Sequence, residues 1–405
     1  MPTHSGLRLS TGRLCCRAVS LWPLILMILL SGCGSHRSSR RTFDTGRATR
    51  LVSEYATATR RSGVSSAVVR NGSLLWSGST GIANKTLNTR VTDDTVFAIA
   101  SISKTVTAVA VMQLVEEGKL DLDADINRYL PFTLRNPKAA GNITLRHLLT
   151  HTSGISDTRY YALAEASPES PAFHYYRDSD PTLSLADFCR AFFSEDGTYF
   201  GPESFNGSAA GTTFEYSNIG MALAGYIVER AAGESFADFT RRRIFQPLGM
   251  TRTGWRVAEF ATRELAMPYG PEGEALGNYT FADYPNGGLR TTARDLSRFL
   301  RAFIQDGVLE GRRILQAATV REMKRVQYPN IPEAEQQRLG WNGVMVGSQL
   351  AIGHSGAERG ISTGMYYSTA TGSGAIVLTN GSLTSVEDLN AQSALLESLI
   401  READR

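Results

Sequence analysis

From Ile102 to Glu117 the chain is apolar nearly all round, with Val106, Val109, Val111, Met112, Leu114 and Val115 leaving no polar face before Gly118 ends the run. A helix greasy on every side must be enclosed by protein, so the fold needs layers on both flanks of this segment. Immediately before it stands Ser101-Ile102-Ser103-Lys104. A serine and a lysine at this spacing fall on one helical face, a turn apart. The amine then sits beside the hydroxyl and can take its proton, which a nucleophilic serine needs when no histidine serves it. Ser101 also opens the helix, where free N–H groups and the dipole favour developing negative charge. The pattern points to serine acyl transfer. Only five of the 42 basic residues are lysines, and Lys104 alone lies three positions after a serine.

The 405 residues are 42% hydrophobic and 20% charged, with a formal net charge of +3. That balance gives a large core and no concentrated basic patch for nucleic acid. At the N-terminus, Arg8, Arg13 and Arg17 precede a mostly apolar run from Ala18 to Leu30. The run is too short to span a bilayer and suits a signal-peptide core. Leu30-Ser31-Gly32-Cys33 resembles the bacterial lipobox, and the stretch from Gly34 to Arg41 is polar and basic. Residues 1–32 are therefore expected to be a lipoprotein signal peptide, with Cys33 carrying the lipid and 33–44 forming a tether. Cys15 and Cys16 would leave with the peptide. Cys189 would remain alone, without a disulfide partner.

The remainder, 45–405, reads as one catalytic domain. A helix is expected from Thr45 to Arg61, then strands Ser66–Arg70 and Ser73–Ser77 joined by Asn71-Gly72, whose residues tolerate positive φ. Phe97–Ala100 leads into Ser101. The middle, about 120–285, reads as mainly helical, with clear helices at Gly220–Ala232 and Phe236–Phe245. Strand patterns return at Leu350–His354, Gly364–Ser368 and Ala375–Thr379. A last amphipathic helix uses Val386, Leu389, Leu396, Leu399 and Ile400. The order predicts an α+β fold: an antiparallel sheet built from both ends of the chain, flanked by helices and carrying a largely helical insert.

Two more motifs follow the first: Tyr216-Ser217-Asn218 and His354-Ser355-Gly356. With Leu148-Leu149-Thr150-His151-Thr152-Ser153-Gly154, Pro247-Leu248-Gly249-Met250 and Gly287-Gly288-Leu289, they make the chain resemble the serine β-lactamase and penicillin-binding-protein superfamily. The likeness is to its class C β-lactamase-like branch and runs from about Leu51 to Asn380. The resemblance implies that Ser101 is the nucleophile, Lys104 its base and Tyr216 a proton donor to the leaving group. It also implies that Asn218 binds the substrate amide, while Ala357 N–H and Ser101 N–H form the oxyanion hole. His354 stands where true β-lactamases commonly carry lysine, in a His-x-Gly form that resembles some DD-peptidases, D-aminopeptidases and esterases. His354, Ser355 and Gly356 are expected to bind substrate, with His354 donating a hydrogen bond to a substrate carboxylate or to the Tyr216 network.

The expected function is a lipid-anchored serine hydrolase of the bacterial envelope, facing the periplasm or cell wall and using no metal or cofactor. Its substrates would be D-alanyl peptides, small esters or β-lactams. A true class C-type β-lactamase is the alternative within the enzyme class; outside it, the alternative is a slow penicillin- or peptide-binding sensor lipoprotein.

Several decoys compete. Tyr284-Pro285-Asn286 and Tyr328-Pro329-Asn330 also spell Tyr-x-Asn, with Tyr284 the backup to Tyr216. Gly353-His354-Ser355-Gly356-Ala357 nearly spells a nucleophile elbow, but no histidine follows it to complete that triad. His147 and His151 lack the intervening glutamate of a zinc helix and read as a packed pair. Asp121, Asp123 and Asp125 begin like a calcium loop but lack its glycine and final glutamate. The aromatics from Tyr160 to Phe200 read as core, with the sharper alternative that some line an acyl pocket.

Overall fold

The computed structural model describes residues 42–405. The expected signal peptide and Cys33 lie outside them. Asp44 opens the first helix, α1 (Thr45–Ala58), its carboxylate accepting from Arg47 N at 2.9 Å as an N-cap. The hairpin that follows pairs β1 (Gly63–Arg70) with β2 (Ser73–Asn84). Asn71 and Gly72 take φ of 47° and 75°, the two left-handed residues that a tight hairpin turn requires. After the short β3 (Thr89–Arg90), the chain leaves the sheet and returns with β4 (Asn342–Val346), β5 (Gln349–Glu358), β6 (Ile361–Ser368) and β7 (Ser373–Thr379). The strand order is β4-β5-β6-β7-β1-β2-β3, every pairing antiparallel.

Side-chain alternation divides the sheet between two cores. On β1, Val64 and Val68 join one cluster while Ala67 and Val69 join the other; on β7, Ala375 and Val377 oppose Ile376 and Leu378. The first cluster is closed by Val52 and Tyr55 of α1 and by Leu395, Leu396 and Leu399 of the terminal helix (Val386–Asp404). In that helix Val386 and Leu389 are exposed, so the buried stripe is narrower than the sequence pattern suggests. The second cluster contains α2 (Ser103–Glu116), buried from Ser103 to Leu114, as its all-round apolar pattern demands. Gly118, at φ 68°, ends the run.

Between α2 and the return to the sheet lie helices Leu145–Leu149, Thr158–Ala166, Leu185–Phe193, Asn218–Ala232 (hereafter the 218 helix) and Phe236–Thr240. Within the stretch expected to be helical to Phe245, the last turn widens to a π-helix at Arg241–Phe245. Several strands exceed or escape the sequence pattern: β1 begins at Gly63 rather than Ser66, β5 runs on to Glu358, and β6 begins at Ile361. β2 continues to Asn84 through Ser77-Gly78-Ser79-Thr80-Gly81, which has no apolar alternation, and β4 is short and only half-buried. Phe173, Phe188, Phe192 and Phe193 are core, as the plainer reading of the aromatic stretch held. Cys189 is buried and unpaired. Among the described residues no helix is long and apolar enough to cross a membrane.

The 218 helix packs on α2 and on the 3-10 turn Tyr284–Asn286. Gly225 permits that approach, because a Cβ there would lie 2.5 Å from Pro285 Cβ. Gly225→Ala is expected to cost about 1–3 kcal/mol through overpacking, seen as a lower midpoint in urea unfolding. An unchanged midpoint would show that the turn yields freely.

Candidate active site

Ser101 lies in a 3-10 turn, Ala100–Ile102, that feeds α2. Ala100 takes φ 47°, a left-handed conformation that non-glycine residues rarely adopt, so backbone strain sits directly before the serine. One turn on, Lys104 is fully buried and its Nζ lies 2.9 Å from Ser101 Oγ. The amine has two further neighbours: Asn218 Oδ1 at 2.8 Å and the Asn286 carbonyl at 2.7 Å. Burial pulls the lysine pKa down to about 7, against the smaller opposing pull of Asp157, Asp283 and Glu358. A neutral amine has two N–H donors and one lone pair. Asn218 and Asn286 take the two donors, which leaves the lone pair for the serine hydroxyl.

Tyr216 lies just before the 218 helix, whose N-cap Ser217 accepts from Gly220 N at 3.0 Å. Its ring packs 4.3 Å from that of His151, Lys104 Nζ stands 4.9 Å from its centroid, and its hydroxyl lies near the Ser101 side chain. The surrounding protein pushes the phenol pKa up, so near neutral pH Tyr216 keeps its proton while about half of Lys104 has lost one. Of the two groups, the lysine is the competent base. His151 adopts φ 57°, and its Nδ1 accepts from Ser217 N at 3.2 Å. Burial holds it far below the usual histidine pKa, so it is neutral.

Asp157 organises the start of the 218 helix. Its two carboxylate oxygens accept from Ser217 Oγ (2.8 Å), Asn218 N (2.7 Å), Asn218 Nδ2 (2.9 Å) and Ile219 N (3.2 Å). Asn218 Nδ2 also donates to Tyr161 Oη at 2.9 Å. Asn218 thus links the two halves of the site: its Nδ2 donates to Asp157 and Tyr161, and its Oδ1 accepts from Lys104 with a second lone pair still available.

The third motif lies on β5. Two-residue loops, Gly347-Ser348 and Arg359-Gly360, close the hairpins on either side of this strand, so the flanking pairs Val346–Gln349 and Glu358–Ile361 are hydrogen-bonded pairs. Counting by twos, Gln349, Ala351 and Gly353 direct their backbone groups to β4, whose pairing ends with Asn342 opposite Gly353. Beyond that point the backbone N–H groups of Ser355 and Ala357 point off a free edge. The Ile99–Ala100 backbone packs over a face of the strand here, so closely that a Cβ on Gly356 would collide with the Ile99 carbonyl. Gly356, the residue before Ala357, therefore lies against the serine turn.

His354 is buried, and its Nδ1 faces the Ser355 carbonyl at 2.5 Å. A carbonyl only accepts, so Nδ1 carries the proton and Nε2 the lone pair. Burial, together with the nearby Lys104, lowers the His354 pKa to about 4. It is neutral at physiological pH, and its one N–H is directed at the Ser355 carbonyl. Ser355 departs from expectation. Its side chain shares a cavity with Val344, Tyr366 and Leu396 on the terminal-helix face, so only its backbone reaches the free edge.

The decoys resolve into separate tasks. The Tyr284 hydroxyl points to Glu229 Oε1 at 3.5 Å, and its ring packs on Trp255 and Phe236, away from Ser101. Its motif still enters the site, through the Asn286 carbonyl. Tyr328 packs against His147. His147 Nδ1 accepts from Thr144 N at 3.1 Å in a capping box, so the two histidines serve different backbone segments. Asp123 pairs with Arg146 and Asp125 caps a 3-10 turn. Tyr175 and Tyr176 part company: Tyr175 Oη donates to Glu358 Oε1 at 3.2 Å, whereas Tyr176 bonds Pro171 and Thr182. Sequence reasoning missed Asp157, Asp283, Asn286, Tyr161 and Glu358. For Asp157 no local signal existed, since its partners lie 60 to 62 positions away.

The sequence profile of the Beta-lactamase family matches residues 48–398. Penicillin-binding protein 4 of Amycolatopsis lactamdurans is 30% identical over 318 residues, covering 74% of this chain and 76% of that protein. Esterase EstB of Burkholderia gladioli is 33% identical over 210 residues, covering 50% of this chain and 48% of the esterase. Among solved structures, the octameric penicillin-binding protein homologue from Pyrococcus abyssi superposes with a TM-score of 0.68 at 26% identity, covering 84% of this chain and 74% of that one. D-amino acid amidase from Ochrobactrum anthropi SV3, complexed with L-phenylalanine amide, gives 0.66 at 25% identity, covering 89% and 99%. A family profile spanning nearly all the described residues, and a fold shared with these structures, place the chain in the Beta-lactamase family.

Proposed function

We propose that the protein is a serine hydrolase in which Ser101 is acylated by an amide or ester substrate, with Lys104 as general base. The observation that carries this reading is the Lys104 amine, buried and 2.9 Å from Ser101 Oγ. In the forward step the lysine lone pair accepts the serine proton as Oγ attacks the substrate carbonyl. Ser101 N–H and Ala357 N–H receive the oxyanion, and each such donor is typically worth about 2.7–4 kcal/mol in the transition state. Tyr216, which keeps its proton near neutral pH, passes it to the leaving group and is reprotonated through Lys104. Water then releases the acyl group.

Similarity to an esterase and to an amidase supports an amide or ester substrate. The neutral His354, standing where true β-lactamases commonly carry lysine, favours peptidase or esterase chemistry over efficient β-lactam hydrolysis. The lipobox at Cys33 supports a lipid-anchored protein of the bacterial envelope, facing the periplasm or cell wall.

Intact mass of residues 42–405 after addition of benzylpenicillin or an activated ester tests the reading, with Ser101→Ala as control. A covalent adduct that requires Ser101 is expected. Its persistence marks a peptidase or a slow binder, and rapid decay marks a β-lactamase. Ester hydrolysis undiminished in Ser101→Ala contradicts the proposal.

The pH dependence has a definite sign. Lys104 acts only when neutral, so kcat/KM for an ester should rise with pH, reach half its maximum near pH 7 and level off above it. Lys104→Arg, which stays protonated, should lose about 10²–10⁴-fold. A profile that falls through pH 7 excludes the lysine as base.

A further inference from the structure

Lys104 donates to two asparagines, and each asparagine is tied at its other end to a buried aspartate. Asn218 accepts at Oδ1, while its Nδ2 donates to Asp157 Oδ2 at 2.9 Å. Asn286 accepts through its backbone carbonyl, while its Nδ2 donates to Asp283 Oδ2 at 2.6 Å and to the Asp283 carbonyl at 2.8 Å.

Asp283 is an expensive residue to keep there. It is 2% exposed, its Oδ1 has no partner, and its side chain does not cap the turn that it precedes. A buried carboxylate with an unpaired oxygen costs the fold stability. Burial also pushes its pKa up to about 7, so a neutral form is populated near neutral pH, and that form still offers Asn286 an acceptor oxygen.

That acceptor has a mechanical use. The Pro285 carbonyl is fixed by Thr107 Oγ1 of α2, at 2.7 Å. Asn286, by contrast, is followed by Gly287 and Gly288, whose backbones have wide conformational freedom. The Asn286–Gly287 peptide is therefore where the turn can rotate. Folding the Asn286 side chain back onto residue 283 holds that peptide with its carbonyl 2.7 Å from Lys104 Nζ.

Building on the acyl-enzyme reading, we propose that Asp283 is a positioning residue for the base. By accepting from the Asn286 side chain, it keeps the Asn286 carbonyl on the Lys104 amine. It acts through Asn286 alone and takes no part in bond making.

NMR titration of Lys104 and the pH profile of ester kcat/KM test this in Asp283→Ala, Asn286→Ala and Asp283→Asn. Either alanine variant breaks the tie, and the ammonium loses an acceptor that favours its charged form. The Lys104 midpoint and the half-maximum of the profile should both fall by about one unit, and the plateau should fall with them. Asp283→Asn keeps an acceptor oxygen for Asn286 and should restore both midpoints. Asp283 is faced by Asp157, Glu358, Tyr160, Tyr175 and Cys189. His151 and His354 also face Lys104. All of these are common to the three variants, so a shift shared by NMR and kinetics reports the substituted side chain. A residue needed only for folding would lower the plateau and leave the midpoints in place. Unmoved Lys104 midpoints in both alanine variants overturn the proposal, as does an Asp283→Asn midpoint displaced as far as theirs. Ester hydrolysis at the wild-type rate by Ser101→Ala overturns the acyl-enzyme reading instead.

Discussion

Keeping the Lys104 amine out of water without a carboxylate in contact is the constraint on which the rest of the cleft depends. An ammonium moved into protein loses several kcal/mol of hydration, and among the described residues no salt bridge involves this one. Three neutral oxygens surround it instead: from its own turn, from the 218 helix and from the Tyr284–Asn286 turn. They stabilise the ammonium incompletely, which is why its pKa falls to about 7 rather than staying near 10.5. Paired with a buried carboxylate, the lysine would have stayed charged and useless as a base. Left without acceptors, it would have destabilised the fold. Asp157 works one step back, orienting Asn218 and the first turn of its helix.

The same economy of charge shapes the β5 side. His354 is as buried as a core residue and gives its one proton to a neighbouring carbonyl. The strand contributes a free backbone edge, because β4 stops at Asn342. A cleft so arranged offers backbone N–H groups, and no charged side chain from this motif, along that edge. This is consistent with a departure from the lysine-bearing form of the third motif.

Much of this was legible in the sequence where a residue type had only one physical use. The apolar run after Ser101 had to be a buried helix, Asn71-Gly72 had to be a tight turn, and a lysine one turn from a serine had to face it. Legibility ended where function passes through the backbone or through distant partners. Nothing in Tyr284-Pro285-Asn286 says that its last carbonyl, rather than its tyrosine, serves the lysine. Asp157 looks like any loop aspartate until Asn218 folds onto it. The alternation rule also failed for β2, whose Ser/Gly-rich second half pairs through its backbone without an apolar face, and for Val386 and Leu389, which continue a helical pattern into solvent.

The central claim is that Lys104 rests near half-protonation in the folded protein. The chain holds only five lysines, at positions 85, 104, 119, 138 and 324, so an NMR titration of isotope-labelled lysine side chains can resolve each one, with Lys104→Arg assigning its signal. The account predicts that Lys104 titrates with a midpoint near 7. A midpoint close to the ordinary lysine value of about 10.4 would contradict it and remove the base from the proposed mechanism.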